Sequence, residues 1–377
     1  MRSVRTSSQL RRRRSGSTAR ANSDADDTTA TVAAQKAAGA DFVKIGMVND
    51  AAFFAALAAG QREVIPVAGH VPAGVSTLDA SRAGIRSIEH LGPQQGVLIT
   101  CTRDAEAFLA AASTPPALLL NPPPIPFGEA LMMRLLNRIV INPGAMLTHQ
   151  DVQAIGEIVA AYDEATCRAS ARVYAANHTW QVPTLIRRKT SDLAFLDEFL
   201  NDPDIARFTA CDLMETWIDI TTDYAEGLDA EDRAILQRAY TLSKDAARIM
   251  DAEGVRMLTG SDSTGAGWMV PGFALHREFR ELADAGLTPL RVLQMTTLDA
   301  AEFSRPQRDD GHRRAGQARR PRHPERQSAG RRRKPAEHRL RGARWPLLVP
   351  DGSGCAAAEP PGGYRPRRLK ARFHRLQ

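Results

Sequence analysis

Four residues of this sequence, Lys44, His70, His90 and Asp262, fall at or just beyond the ends of short apolar segments, and all four carry side chains able to bind a divalent metal. Imidazole and carboxylate suit zinc and similar ions, and a lysine that has reacted with carbon dioxide becomes a carbamate able to bridge two metals. Metal held by such a set lowers the pKa of a bound water and polarises a carbonyl, so the chemistry it supports is hydrolysis. Each residue alone has a plainer role. A lysine inside an apolar strand usually snorkels, a lone strand-end histidine is usually a hydrogen-bonded structural residue, and an Asp after Thr259-Gly260-Ser261 makes an Asx turn or caps a helix. It is their shared position that carries the reading.

That position depends on the elements around them. Short apolar strands are expected at 41–46, 64–70, 85–90, 182–186 and 255–260, separated by helical stretches near 50–59, 76–83 and 150–176. Alternation of strand and helix at such intervals is the pattern of βαβ units on a parallel sheet, whose C-terminal strand ends share one mouth. Residues 93–143 are irregular and Pro-rich and are expected to form a long loop or lid. A polar insertion of helices is expected over 190–253, and two more helices near 273–285 and 289–303. Five strands are countable where a closed barrel of this type needs eight.

Composition places this body between two unlike ends. The 377 residues carry a net charge of +7, but residues 1–21 hold seven Arg and no acid, and residues 305–377 hold 19 Arg and two Lys against six acids. The segment between them carries 22 basic and 37 acidic residues, an acidic body rather than a basic protein. Residues 1–28 have almost no large apolar side chain and are expected to be a disordered basic tail, with the folded unit at 33–304 and an Arg/Pro-rich tail at 305–377. No apolar run is long enough to span a membrane, and no apolar stretch follows the N-terminal arginines as a secretory signal would require, so a cytoplasmic location is expected. Cys101, Cys167, Cys211 and Cys355 lie far apart without a CxxC pair, which indicates neither a disulfide framework nor a thiolate zinc site.

The segments Gly39-Ala40-Asp41-Phe42-Val43-Lys44-Ile45, Gly69-His70-Val71-Pro72 and Ser87-Ile88-Glu89-His90 resemble the imidazolonepropionase-like and Xaa-Pro-dipeptidase-like branch of the amidohydrolase superfamily. The resemblance continues in order through Val182-Pro183-Thr184-Leu185, Leu258-Thr259-Gly260-Ser261-Asp262, Val270-Pro271-Gly272-Phe273-Ala274-Leu275-His276-Arg277-Glu278, and Ala285-Gly286-Leu287-Thr288-Pro289-Leu290 running to Thr297-Leu298-Asp299-Ala300-Ala301. It implies an α/β fold, a partial (β/α)8 TIM-like barrel holding strands four to eight, and a metal-dependent hydrolase of amide-type C–N bonds with zinc as the expected ion. Lys44 would then be the bridging, often carboxylated lysine of strand four, and His70 and His90 the ligands of strands five and six. Asp262 would be the strand-eight carboxylate that binds metal and shuttles the proton of the nucleophilic water. His276 matches a position after the strand-eight loop and is expected to be structural. The implied substrate is a small amide or dipeptide-like molecule.

The sequence departs from that pattern at both ends. A strand-one His-x-His pair has no counterpart, since no two histidines are two residues apart, and the expectation is an N-terminally truncated member. The abrupt change to Arg/Pro/Gly/Ala sequence near Arg305 suggests a frameshift there. The alternative to an active hydrolase is therefore an inactive fragment or pseudoenzyme lacking the His-x-His ligands. A lesser alternative, nucleic-acid binding through the Arg-rich tails, is opposed by their lack of interleaved aromatics and by the acidic body.

Overall fold

The computed structural model describes residues 15–16, 25–93, 96–112, 128–263 and 265–304, with 15–16 and 128–134 described as backbone only. In chain order the elements are β1 (Ser15–Gly16), α1 (Ala25–Ala37), β2 (Phe42–Ile45), α2 (Asp50–Arg62), β3 (Val67–Gly69), α3 (Thr77–Arg82), β4 (Ser87–Glu89), α4 (Ala105–Ala111), α5 (Gly128–Ile141), α6 (His149–Ala160) and α7 (Glu164–Ala176). They continue with β5 (Trp180–Val182), α8 (Leu185–Asp192), α9 (Asp197–Leu200), α10 (Pro203–Phe208), α11 (Cys211–Glu226), α12 (Ala230–Ala252), α13 (Phe273–Asp284) and α14 (Pro289–Gln294). The five strands pair in parallel in their chain order, and from β2 onward each crossover contains helix, so the architecture is helix-rich α/β.

Alternation along β2 buries Val43 and Ile45, which share a lining with Val32 of α1 and Ala52 and Ala56 of α2, and leaves Lys44 on the other face. Helix α2 forms because Asn49 caps it, its Oδ1 accepting from the Ala52 N–H at 2.8 Å, and because Phe53, Ala56, Leu57 and Gly60 recur at helical spacing on one buried face. The main core runs from these residues through Ile88 and Leu91 to Tyr174, Leu236, Tyr240 and Met257, so α7 and α12 close over the sheet.

Several elements differ from the sequence reading, each for a local reason. The strand expected at 182–186 lies at 180–182: Pro183 has no N–H to extend the ladder, Thr184 adopts a left-handed conformation (φ 48°), and Leu185 already opens α8. The strand expected at 255–260 is reduced to a parallel bridge between Met257 and Gln181, held by Gln181 N–H to Arg256 O at 3.0 Å and Leu258 N–H to Gln181 O at 2.9 Å. The helix expected over 150–176 is two helices, because Asp163 starts a new one by accepting from the Thr166 N–H. Helix α5 occupies part of the stretch expected to be a loop or lid, of which 94–95 and 113–127 lie outside the described residues. Cys101 and Cys167, 66 residues apart, are joined in a disulfide that the sequence spacing did not indicate, since the turn Ile99–Cys101 packs against α7.

At the N-terminal side, α1 begins inside the segment expected to be a disordered tail, and Ser15 and Gly16 pair with Phe42 and Val43. Residues 1–14, 17–24 and 305–377 lie outside the described residues, and with them the expected frameshift near Arg305 and most of both arginine tails on which nucleic-acid binding would depend. No helix among the described residues is long and apolar enough to cross a membrane.

Candidate metal centre

The C-terminal ends of β2, β3 and β4 stand side by side, with Ile45 opposite Gly69 and Gly69 opposite Ile88. His70 and His90 each lie one residue past a strand yet stay tied to the ladder, through His70 N–H to Ile45 O at 3.0 Å and His90 N–H to Val182 O at 2.9 Å. Gly69 is required at this point. Its φ is 128°, and a Cβ there would stand 2.2 Å from the Ile45 carbonyl oxygen, so any side chain would push β3 away from β2 and carry His70 with it.

The side chains then converge. His90 Nε2 lies 3.1 Å from His70 Nε2, His70 Nε2 lies 3.3 Å from Glu89 Oε2, and Lys44 Nζ reaches the same carboxylate oxygen at 2.8 Å. One ligand atom from each of His70, Glu89 and His90 falls within 4.8 Å of the others. Asp262 stands across the mouth, its Oδ2 3.9 Å from His90 Nε2 and 4.0 Å from Arg187 Nε. Of the four residues picked from the sequence, the two histidines meet directly, Lys44 joins through Glu89, and Asp262 faces His90 without touching it. His276 instead lies on α13 with its ring edge against Phe279.

Glu89 escaped the sequence reading because successive strand residues point to opposite faces, which put it opposite His90. His90 breaks that alternation. It lies beyond the end of β4 with φ 70°, and the left-handed turn brings both side chains to one side. Thr184 and Asp262 also adopt positive φ (48° and 49°), so three non-glycine residues of this small region hold uncommon backbone conformations, a feature that collects at functional sites. No periodicity signal reports such conformations.

The hydrogen bonds fix the state of His90. Thr184 Oγ1 donates to the Pro183 carbonyl at 2.8 Å and lies 2.6 Å from His90 Nδ1. A hydroxyl has one proton to give, so Nδ1–H donates to Thr184 and the lone pair is left on Nε2, aimed at the cluster. Burial, reinforced by His70, Arg188 and Lys44 and opposed by Glu89, pushes the His90 imidazole down to about 3, which keeps that lone pair free in neutral solution. Burial works against the charge of Glu89, but hydrogen bonds from His70 and Lys44 outweigh it and hold the carboxylate at about 2.

These donors fit a divalent ion. Two nitrogens bound tetrahedrally to one zinc at about 2.0–2.1 Å stand about 3.3 Å apart, and the His70 and His90 Nε2 atoms are separated by 3.1 Å. A ligating histidine usually donates its far N–H to a carboxylate, a backbone carbonyl or water; at His90 the Thr184 hydroxyl takes that place.

No protein-family model matches the chain, and no curated protein matches it. Among solved structures it is similar to a bottromycin amidohydrolase (TM-score 0.49, 21% identity, covering 74% of this chain and 50% of that one). It is also similar to a Xaa-Pro dipeptidase with methionine bound in the active site (TM-score 0.35, 15% identity, 75% and 48%) and to a prolidase complexed with N-methylphosphonate-L-proline (TM-score 0.37, 15% identity, 75% and 47%). The chain spans about half the length of these structures.

Proposed function

We propose that this chain is a metal-dependent hydrolase of amide-type C–N bonds, an amidohydrolase whose site stands at the mouth of a partial (β/α)8 barrel. The observation that supports it is the convergence of His70, Glu89 and His90 at adjacent parallel strand ends, with an open carboxylate, Asp262, facing them. His70 and His90 would hold the ion with Glu89 or Asp262, and zinc suits this nitrogen and oxygen set. When bound, such an ion supplies an acidified water and an electrophile for the substrate carbonyl. Asp262, 45% exposed, would take a proton from the attacking water and return it to the leaving amine, with Arg187 Nε 4.0 Å from its carboxylate. Lys44, held against Glu89, offers no lone pair while it carries the proton of that ion pair; it becomes a ligand only as a carbamate.

The proposed substrate is a small amide or dipeptide-like molecule, the class that the sequence resemblance implies, and Lys44, His70 and Asp262 are open to it, with side chains 42%, 36% and 45% exposed. The test joins metal analysis with an assay. Full-length protein reconstituted with zinc should retain the ion and hydrolyse at least one member of a panel of dipeptides and N-acyl amino acids, and chelation should abolish both. Retained zinc without hydrolysis would favour the inactive-fragment reading, and absence of zinc after reconstitution would sink the metal centre altogether.

A further inference from the structure

Glu278 on α13 has no solvent exposure and belongs to no part of the cluster just described. Its Oε2 accepts the Ile186 N–H at 2.8 Å, while Oε1, equally buried, has no hydrogen-bond partner among the described residues. A half-satisfied buried carboxyl costs stability that an apolar side chain of similar volume would not. What it provides is a fixed acceptor at the first turn of α8. That turn is where the two halves of the site meet. Two residues before Ile186, Thr184 holds His90 Nδ1; one residue after it, Arg187 places Nε beside Asp262 and donates its terminal nitrogens to the Val140 and Ile141 carbonyls. The Ile186 side chain packs with Ala266, Met269 and Ala274, so the same residue joins α8 to the loop after Asp262 and to α13.

Resting on the proposed reading of this cluster as the active site, we infer that Glu278 is a positioning residue: by holding the Ile186 N–H it fixes the first turn of α8, and through that turn the Thr184 hydroxyl on His90 and the Arg187 guanidinium beside Asp262. Burial pushes its carboxyl up to about 8 against the pull of the Ile186 and Leu185 N–H groups, so the acceptor is the neutral acid through most of the neutral range. The amide of Gln then replaces it closely, and Leu replaces only its volume.

The experiment reads the ring nitrogens of His90 by NMR in metal-free, nitrogen-15-labelled full-length protein at neutral pH, the signals being assigned by their loss in His90→Asn. Wild type should show one tautomer with the proton on Nδ1, and Glu278→Gln, which keeps an acceptor oxygen, should show the same. Glu278→Leu should lose the distinction, its two nitrogen shifts converging as the tautomers exchange, while thermal unfolding shows that the chain remains folded. A folded Glu278→Leu with the wild-type pattern overturns the inference, as does a wild-type ring that already averages its tautomers, or a folded Glu278→Gln that loses the pattern. If Glu278→Leu fails to fold, Glu278→Asp, which withdraws the acceptor by one methylene, takes its place with the same two outcomes. Because no metal is present, these readings stand apart from the zinc test of the proposed function.

Discussion

Among the described residues, two places bring ligand atoms of three metal-competent side chains within 4.8 Å of one another: His70, Glu89 and His90 at the strand ends, and His149, Asp229 and Asp232 where the N-termini of α6 and α12 meet. Their ligand spacing is alike, and their chemistry is opposite. At the strand ends the buried His90 is held neutral, its far nitrogen occupied by Thr184 and its lone pair aimed at its neighbours. At the helix ends the exposed His149 is held above its ordinary value by the hydrogen bond and charge of Asp232, so it favours a proton where a metal would need a lone pair. The carboxylates there are already engaged. Asp229 and Asp232 form the reciprocal capping box of α12, and Asp232 also accepts from Gln153. Proximity of ligand atoms is therefore insufficient; burial, tautomer and prior hydrogen-bond commitments decide which cluster can take an ion.

The strongest way to break this contrast is to disable the strand-end site. Asp262→Asn keeps size and hydrogen bonding but removes the proposed base, and loss of such assistance typically costs about 10² to 10⁴ in rate. The expected result is that drop in kcat/KM per bound zinc; an undiminished rate would place the chemistry elsewhere. Next in size is linkage to folding. Zinc at 100 times its dissociation constant should raise the unfolding free energy of wild type by about 2.7 kcal/mol. His90→Ala should abolish that gain and His149→Ala should keep it, as denaturant titrations with and without zinc would show.

Thr184→Val sharpens the comparison within the favoured cluster. It preserves shape and removes the hydroxyl that sets the His90 tautomer. Loss of a partner of this kind typically weakens metal affinity by about 10- to 100-fold. Competition against a fluorescent zinc chelator measures it, and an affinity equal to wild type would show that the left-handed backbone at His90 orients the ring unaided.

The residues at and beside the strand ends were legible because parallel sheets gather such positions, and Lys44, His70, His90 and Asp262 stand out by residue type. Glu89 was hidden by the two-residue period that His90 breaks, and Thr184 by an apolar run that continued past Pro183 into what is α8. The parallel α/β plan followed from the alternation of elements, whereas the break between α6 and α7 turns on one capping side chain, Asp163. Glu278 closes one of the segments that carry the family resemblance, but nothing in its residue pattern marked it as buried. A glutamate in a helix of charged residues reads as solvated, and only the packing of α13 against the start of α8 buries it.

The smallest effect belongs to the cluster expected to remain metal-free, and its sign distinguishes a capping ion pair from a ligand set. Hydrogen bonding to Asp232 raises His149 in the folded state above its unfolded value of about 6.5. Folding therefore favours the protonated imidazole. The stabilisation is fully present below that unfolded value and is lost as pH rises through the higher folded one. His149→Ala should accordingly lower the unfolding midpoint slightly at pH 5 and leave it nearly unchanged at pH 9, because the side chain is exposed and its pairing is screened by water. A metal ligand would behave in the reverse manner, since zinc competes with the proton and its contribution grows as the imidazole is deprotonated. Denaturation of wild type and His149→Ala at both pH values, with and without zinc, separates the two: a zinc-dependent loss that is larger at pH 9 than at pH 5 would make the helix-end cluster the metal site and reverse the ranking of the two.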